Sequence, residues 1–281
     1  MQQPILLSNR GVLRLTGEDR KNFLQGLITN DIHLLTPFHS LYTALLNPQG
    51  KFLHDFFLVE ERETIFLETG KDQLEPLKKR LSLYKLRAQV ILEDISDVCA
   101  VFVMSATQDS VPGQTETWQR GVRFIDPRLS LLGARGIMPY KKFPSSFMYQ
   151  DNDQEYERLR IQLGIPEAGK DMIPERSIPL ETGLQDLNAV SWTKGCYLGQ
   201  ELTARTRYRG EIRKRLLPVE IASDSFDATQ PILDLKGGKA GELYSFQGTR
   251  GIARLRLEKL KGHLFINSVP LTAHIPSWIH L

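Results

Sequence analysis

The chain has 281 residues, 41% hydrophobic and 25% charged, with a formal net charge of +3 and only two cysteines. These proportions are ordinary for a globular protein that buries a full core, and two unlike cysteines exclude a disulfide framework. No run approaches the ~18 apolar residues of a membrane span, and no lysine-rich tail or nucleic-acid motif is present, so neither membrane nor nucleic acid is expected as a partner.

Val12-Leu13-Arg14-Leu15 alternates as a strand does, and Thr16-Gly17-Glu18-Asp19 reads as a capping-box-like helix start. Phe23, Leu24, Leu27 and Ile28 then recur at helical spacing. Leu41 to Leu46 reads as a strand, Asn47-Pro48-Gln49-Gly50 as a turn, and Phe52 to Val59 and Thr64 to Glu68 complete a meander. A helix is expected at about 71–84, with Leu74, Leu77, Leu81 and Tyr84 on one face. Val90–Leu92, Val98–Met104 and Val122–Ile125 read as strands, the polar stretch Ser105–Thr117 as an exposed loop, and Asn152–Leu163 as a helix. Strand–helix–strand–strand order twice over suggests two α+β lobes of ferredoxin-like character.

Gly164–Ser177, rich in Gly, Pro and charge, is expected to be a long ordered loop. After Arg215 the texture changes to short strands, Leu216–Ile221, Ala240–Phe246, Gly251–Arg256 and Leu264–Ile266, which read as a small β-barrel. The expected division is therefore an α+β region over 1–210 and a barrel domain over 211–281.

Residues 194–215 read KGCYLGQELTARTRYRGEIRKR and carry the chemistry. Seven basic residues (Lys194, Arg205, Arg207, Arg209, Arg213, Lys214, Arg215) face two acids (Glu201, Glu211). This stretch alone is thus +5 while the rest of the chain is about −2. Local basicity of this kind suggests an anionic ligand or partner. Cys196 lies between Gly195 and Gly199, just ahead of the helix formers Gln200-Glu201-Leu202-Thr203-Ala204-Arg205. A helix N-terminus and nearby cations both favour a thiolate, which is nucleophilic and binds soft metals. Zinc sites and iron–sulfur clusters need about four ligands, and no histidine, CxxC or HExxH stands near Cys196. Any metal held there would take its other ligands from a partner or a small thiol. Cys99, in the apolar run 98–103, reads as a buried small hydrophobe.

KGCYLGQE followed by ARTRYRGEIRKR resembles the signature of the YgfZ family. That family lies within the folate-binding proteins related to the glycine-cleavage T-protein, and the match is close to its mitochondrial-type branch of 4Fe–4S assembly factors. Further matches are 13–19, Phe23-Leu24-Gln25-Gly26, Thr29-Asn30-Asp31, 46–51, Ile178-Pro179-Leu180-Glu181, and Gly241-Glu242-Leu243 to Gly251.

The resemblance implies a GcvT-like α+β fold, a ring of two ferredoxin-like lobes plus a C-terminal β-barrel. It implies tetrahydrofolate as ligand, with Tyr156, Asn47, Asp55, Glu181 and Arg205 at its site. It also implies that Cys196, in the motif Lys194, Gly195, Cys196, Tyr197, Gly199, Gln200 and Glu201, is the thiolate or shared ligand of an iron–sulfur cluster held only transiently. The implied partners are an A-type iron–sulfur carrier and iron–sulfur client enzymes, and the chain is expected to be a monomer when alone. The N-terminal MQQPILLSNRGVLRL has neither an apolar h-region nor an amphipathic presequence. The expected location is cytoplasmic, or the mitochondrial matrix if a transit peptide has been removed.

Three positions depart from the relatives. His54-Asp55 stands where T-proteins carry an Asp-Asp pair, Gln162 where relatives often carry Glu, and Arg10 where a bacterial relative has an aromatic. Plainer roles stay open for the same residues: Tyr156 packing on the core, Asn47 serving its turn, Asp55 as an ion-pair partner, His54 as a structural histidine. Arg205, Arg207 and Arg209 share a side if the segment is extended and spread if it is helical. The competing activities are a folate-dependent aminomethyltransferase-like C1-transfer enzyme and a docking module without a small ligand.

Overall fold

The computed structural model describes residues 3–107, 109–119, 121–142, 147–208, 210 and 212–280. In chain order the elements are β1 (Ile5–Leu6), β2 (Arg10–Thr16), α1 (Arg20–Gln25), β3 (Leu41–Leu46), β4 (Phe52–Glu61), β5 (Thr64–Gly70), α2 (Leu74–Lys85) and β6 (Ile91–Asp94). There follow β7 (Cys99–Met104), β8 (Thr115–Trp118), β9 (Gly121–Ile125), β10 (Ala134–Pro139), α3 (Gln154–Leu163) and α4 (Gln200–Tyr208). The last six strands are β11 (Lys214–Ile221), β12 (Ile232–Asp234), β13 (Lys239–Gln247), β14 (Arg250–Arg256), β15 (Leu264–Ile266) and β16 (Val269–Ala273).

By compactness the chain forms two units. One comprises Met1–Pro48, Leu53–Tyr156 and Leu187–Gln200; the other Gln49–Phe52, Glu157–Asp186 and Glu201–Leu281. The expected cut after residue 210 falls just ahead of the barrel, but the barrel's unit also takes in 49–52, 157–186 and 201–210.

The first unit holds two five-stranded sheets, ordered β3-β4-β5-β2-β6 and β1-β7-β10-β9-β8. Strand alternation decides what each face carries. On the first sheet Leu13, Leu15, Leu45, Phe56, Leu58, Ile65 and Leu67 point to the side covered by α1 and α2, whose Phe23, Leu24, Leu74, Leu77 and Leu81 complete the core. The order β4-β5-β2-β6 around two helices is ferredoxin-like, with β3 added at the edge. In the second sheet β8 and β9 form a hairpin, β9 at the strand expected over Val122–Ile125, and the helical turn before β10 is only Ser130–Leu132. Ser105–Thr117, expected as loop, contributes residues to β8, an edge strand that can leave Glu116 in solvent. The start of α1 also differs from the capping-box reading. Asp19 makes no side-chain cap bond and instead accepts from the Gln89 amide at 2.7 Å, tying the β6 approach to the β2–α1 turn.

In the second unit six strands close a barrel in the order β11-β14-β13-β12-β15-β16. It is filled by Leu217, Val219, Ile232, Ala253, Leu255, Ile266 and their neighbours. The loop after α3 is ordered because Arg160 grips it. The buried guanidinium donates to Ile165 O and Asp171 Oδ2, both at 2.7 Å, and to Ser245 Oγ on β13 at 3.0 Å. Asp171 in turn accepts from the backbone amides of Glu167 and Ser245. Among the described residues no helix is long and apolar enough to cross a membrane.

Candidate functional site

Cys196 is a free, exposed thiol on the loop that leads into α4, four residues ahead of the first helical residue, Gln200. Gly195 and Gly199 both adopt left-handed conformations, φ +90° and +82°. A Cβ built on Gly195 would meet nothing within 4 Å, so glycine serves the backbone angle there rather than the space.

The loop is stitched to the end of α1 and the residues after it. Lys194 Nζ donates to three backbone carbonyls, Gln25 O and Ile28 O at 2.7 Å and Asn30 O at 2.6 Å, with the ammonium 5.3 Å from the Tyr197 ring centroid. Loss of water pulls the Lys194 ammonium down to about 8, with Asp31 opposing. Carbonyls at the end of a helix lack intrahelical partners and carry negative partial charge, which suits a cation. Leu198 N donates to Gly26 O, Ser191 N to Thr29 O, Thr29 Oγ1 to Ala189 O, and Asn30 Nδ2 to both Tyr42 O and Asn188 O. Gln25-Gly26 and Thr29-Asn30, which looked like separate motifs, are thus the cradle of the cysteine loop.

The cations that follow one another in sequence around Cys196 take separate places. Lys194 is spent on carbonyls. The segment after Gln200 is helical to Tyr208, so Arg205 and Arg207 spread around α4 instead of sharing one side. Arg209 and Glu211 lie outside the described residues. Gln200 is half-buried and Glu201 exposed. Among the described residues no three His, Cys, Asp or Glu side chains come together as a metal site.

Tyr156 and Asp55 belong to a buried polar layer between the two sheets of the first unit. Arg135 on β10 donates Nε and Nη2 to Glu68 on β5 at 2.7 and 3.1 Å, and Arg10 on β2 binds the same carboxylate. Burial alone would raise the Glu68 carboxyl, but Arg10 and Arg135 together hold it below its ordinary value. Arg128 chelates Asp126 at 2.7 and 3.0 Å. The Tyr156 hydroxyl accepts from Arg128 at 2.9 Å and Arg135 at 3.0 Å, and its ring lies 5.8 Å from the Arg135 guanidinium. Tyr156 is only 7% exposed. Asp55 is buried and accepts from the Tyr42 hydroxyl at 2.6 Å; burial first, and Asp55 second, push that phenol well up.

Alternation along β4 sends His54 to the opposite side from Asp55. Its ring is 3.1 Å from Gln73 Oε1 ahead of α2, and burial pulls it down to about 4. His54 thus lies on the helix-covered side, away from Asp55, which keeps the carboxylate on the face shared with Tyr42. Asn47 is half-buried at the turn that ends β3, where Gly50 takes φ +66°.

Glu181 and Arg205 are in the second unit. Glu181 is half-buried, its carboxyl raised by burial against the pull of Arg254, Lys214 and Lys51. Arg205 lines an open pocket of about 340 Å³ with Lys51, Leu180, Leu202 and Thr206.

Comparison with known proteins decides the family. The chain is 35% identical over 301 residues to the mitochondrial iron-sulfur cluster assembly factor IBA57 of Mus musculus, covering 97% of this chain and 84% of that protein. The chain belongs to the IBA57 family. The Homo sapiens protein of the same name is 32% identical over 305 residues, again covering 97% of this chain and 84% of its own length. Residues 213–281 match the CAF17 C-terminal beta-barrel domain, which is the barrel of this IBA57-family chain. Among solved structures, the glycine cleavage system aminomethyltransferase T of Bartonella henselae superposes with a TM-score of 0.80. It covers 99% of this chain and 86% of that one at 14% identity. The GcvT-like fold expected from the sequence is therefore the fold of this IBA57-family protein.

Proposed function

We propose that this chain is a tetrahydrofolate-binding factor for the assembly or repair of 4Fe–4S clusters, offering the Cys196 thiol as a ligand shared with a partner. The observation that carries it is an exposed thiol on a loop held by three ammonium–carbonyl bonds, with no three-donor metal site among the described residues. A cluster needs about four ligands, so a lone ordered thiol fits a cargo passed between molecules. The names of the IBA57 relatives support the same reading. They also favour the mitochondrial matrix over the cytoplasm. The finer likeness to the YgfZ signature belongs to this proposal too, as does an A-type carrier as the partner.

For folate, the residues fit in part. Asp55 presents an acceptor-only carboxylate of the kind a pterin's amino and ring N–H groups need. The Tyr156 hydroxyl is engaged by two guanidiniums and its ring is nearly buried, so Asp55 supports the ligand better than Tyr156 does. When bound, tetrahydrofolate would supply a one-carbon carrier; the protein's part is to hold its pterin edge at Asp55. Titration of tetrahydrofolate by calorimetry should saturate for the wild type and weaken at least tenfold for Asp55→Asn.

The main test is anaerobic mixing with a cluster-loaded A-type carrier, read by absorption and size exclusion. Wild type should retain a shared cluster, and Cys196→Ser should lose it without loss of folate binding. Equal retention by both would defeat the reading, as would full aconitase activity in cells carrying only Cys196→Ser.

A further inference from the structure

We propose that the pocket along α4 in the second unit binds a small organic anion, a polycarboxylate or phosphate ester with a short aliphatic part, held between Lys51 and Arg205. The site stands apart from the cluster and folate readings. Every wall of the pocket belongs to the second unit, whereas Cys196 and Asp55 belong to the first.

The pocket holds about 340 Å³, and none of its lining residues is Asp or Glu. Its two cations come from segments far apart in sequence, Lys51 from the turn before β4 and Arg205 from α4. Arg205 is exposed and makes no ion pair or hydrogen bond among the described residues. Aliphatic surface comes from 178–180 and Leu202.

The carbonyls that a bound cation would need are engaged elsewhere. Ile178 O accepts from Thr182 N at 3.2 Å, and Pro179 O from Leu184 N at 3.1 Å and Thr182 Oγ1 at 2.9 Å. Leu180 O accepts from Arg215 Nη1 at 2.7 Å, and Leu202 O from Thr206 Oγ1 at 2.9 Å. An anion, by contrast, meets two charged donors and no carboxylate in the wall.

The excess of positive charge extends beyond the walls. Glu181, next to Leu180, has a half-buried carboxyl on which Arg254, Lys214 and Lys51 all act. Three cations thus bear on one acid, and Arg205 adds another without an acid of its own. A cleft of one sign concentrates ions of the other.

The pocket is also preformed. Phe52 N donates to Ser177 O at 3.0 Å and Glu175 N to Phe52 O at 2.7 Å, which fastens the Lys51 segment to the segment leading into 178–180. Arg215 pins the same floor, since it pairs with Asp186 as well as binding Leu180 O. A ligand therefore has little to order on arrival. At about 30 Å³ per water the volume is that of roughly eleven waters. Inorganic phosphate alone would leave most of it empty, so the anion needs an organic remainder against Leu180 and Leu202.

The experiment is calorimetry of the full chain with citrate and with glycerol 3-phosphate at fixed ionic strength, with glycerol as the neutral control. At least one anion should saturate with a Kd below about 1 mM, and glycerol should not. Saturation by citrate alone identifies a polycarboxylate ligand, and by glycerol 3-phosphate alone a phosphate ester. Arg205→Gln and Lys51→Gln should each weaken binding at least tenfold, and Arg205→Lys should weaken it less than Arg205→Gln. Leu202→Glu, which sets a carboxylate in the wall, should abolish it. Lys261→Gln removes an exposed charge outside the pocket and should bind as wild type does. Melting curves check the fold, and Arg205→Gln decides if a more buried variant melts early. No saturation by either anion would overturn the site, as would Arg205→Gln and Leu202→Glu that both bind within threefold of wild type. Tetrahydrofolate binding should be unchanged in Arg205→Gln; a tenfold loss would give the pocket to folate and overturn a ligand of its own. A wild type that binds an anion here but no tetrahydrofolate would defeat the folate reading and leave this site standing.

Discussion

Replacing Lys194 with Met tests whether the cysteine loop owes its order to the ammonium. The substitution removes three bonds to Gln25 O, Ile28 O and Asn30 O and keeps most of the apolar stem. A hydrogen bond to a charged group is worth about 1.5–3 kcal/mol net. Lys194 is half-buried and gives up hydration to make these bonds, as its lowered ammonium value of about 8 records. Water can also reach part of the vacated carbonyls. The net loss expected is therefore about 2–4 kcal/mol, well below three full bonds. At about 1.4 kcal/mol per decade, the loop should open roughly thirty- to a thousandfold more often. The loss should be local, because the barrel core of Leu217, Ile232, Leu255 and Ile266 shares no residue with the cradle. Amide exchange read by mass spectrometry should speed up in peptides covering 187–200 and 25–31 and stay unchanged in 214–273. Cys196 should also alkylate at a different rate. Exchange in 187–200 within threefold of wild type would refute the reasoning.

Two further outcomes follow from the buried charges of the first unit. Arg135→Met should destabilise by about 3–5 kcal/mol, since it leaves Glu68 buried with Arg10 alone; a change below about 1 kcal/mol in urea unfolding would contradict the pairing. His54 is held near 4 in the fold against 6.5 unfolded, so the unfolded chain binds the proton more readily. Its contribution is complete above pH 6.5 and is lost as pH falls from 6.5 towards 4, at most about 3 kcal/mol in all. Unfolding free energies at pH 7 and pH 4.5 should differ less in His54→Phe than in wild type, and an equal difference would remove His54 as the cause.

What was legible in advance was what repeats locally. The α2 stripe and the β2, β3, β4 and β5 strands are written in residues two or three to four apart, and the structure places them within a few residues of expectation. The barrel was visible as texture, although β12 and β16 were missed, being three and five residues long with little alternation. β10 was missed because Ala134-Arg135-Gly136 reads as polar and broken; Arg135 is buried only because Glu68 waits on the other sheet.

The sequence by itself determined the family-bearing motif and the glycines that let the Cys196 loop turn. Only the tertiary structure decided what the charges do. Lys194 meets carbonyls more than 160 residues away, and Arg135 meets a carboxylate 67 residues away. Whether a cation lies in solvent, in a ligand pocket or against a helix end depends on what packing brings to it, and no local pattern encodes that distance. The basic stretch read as one surface is thus a clamp at Lys194, a pocket wall at Arg205, and a buried bond from Arg215 to Asp186.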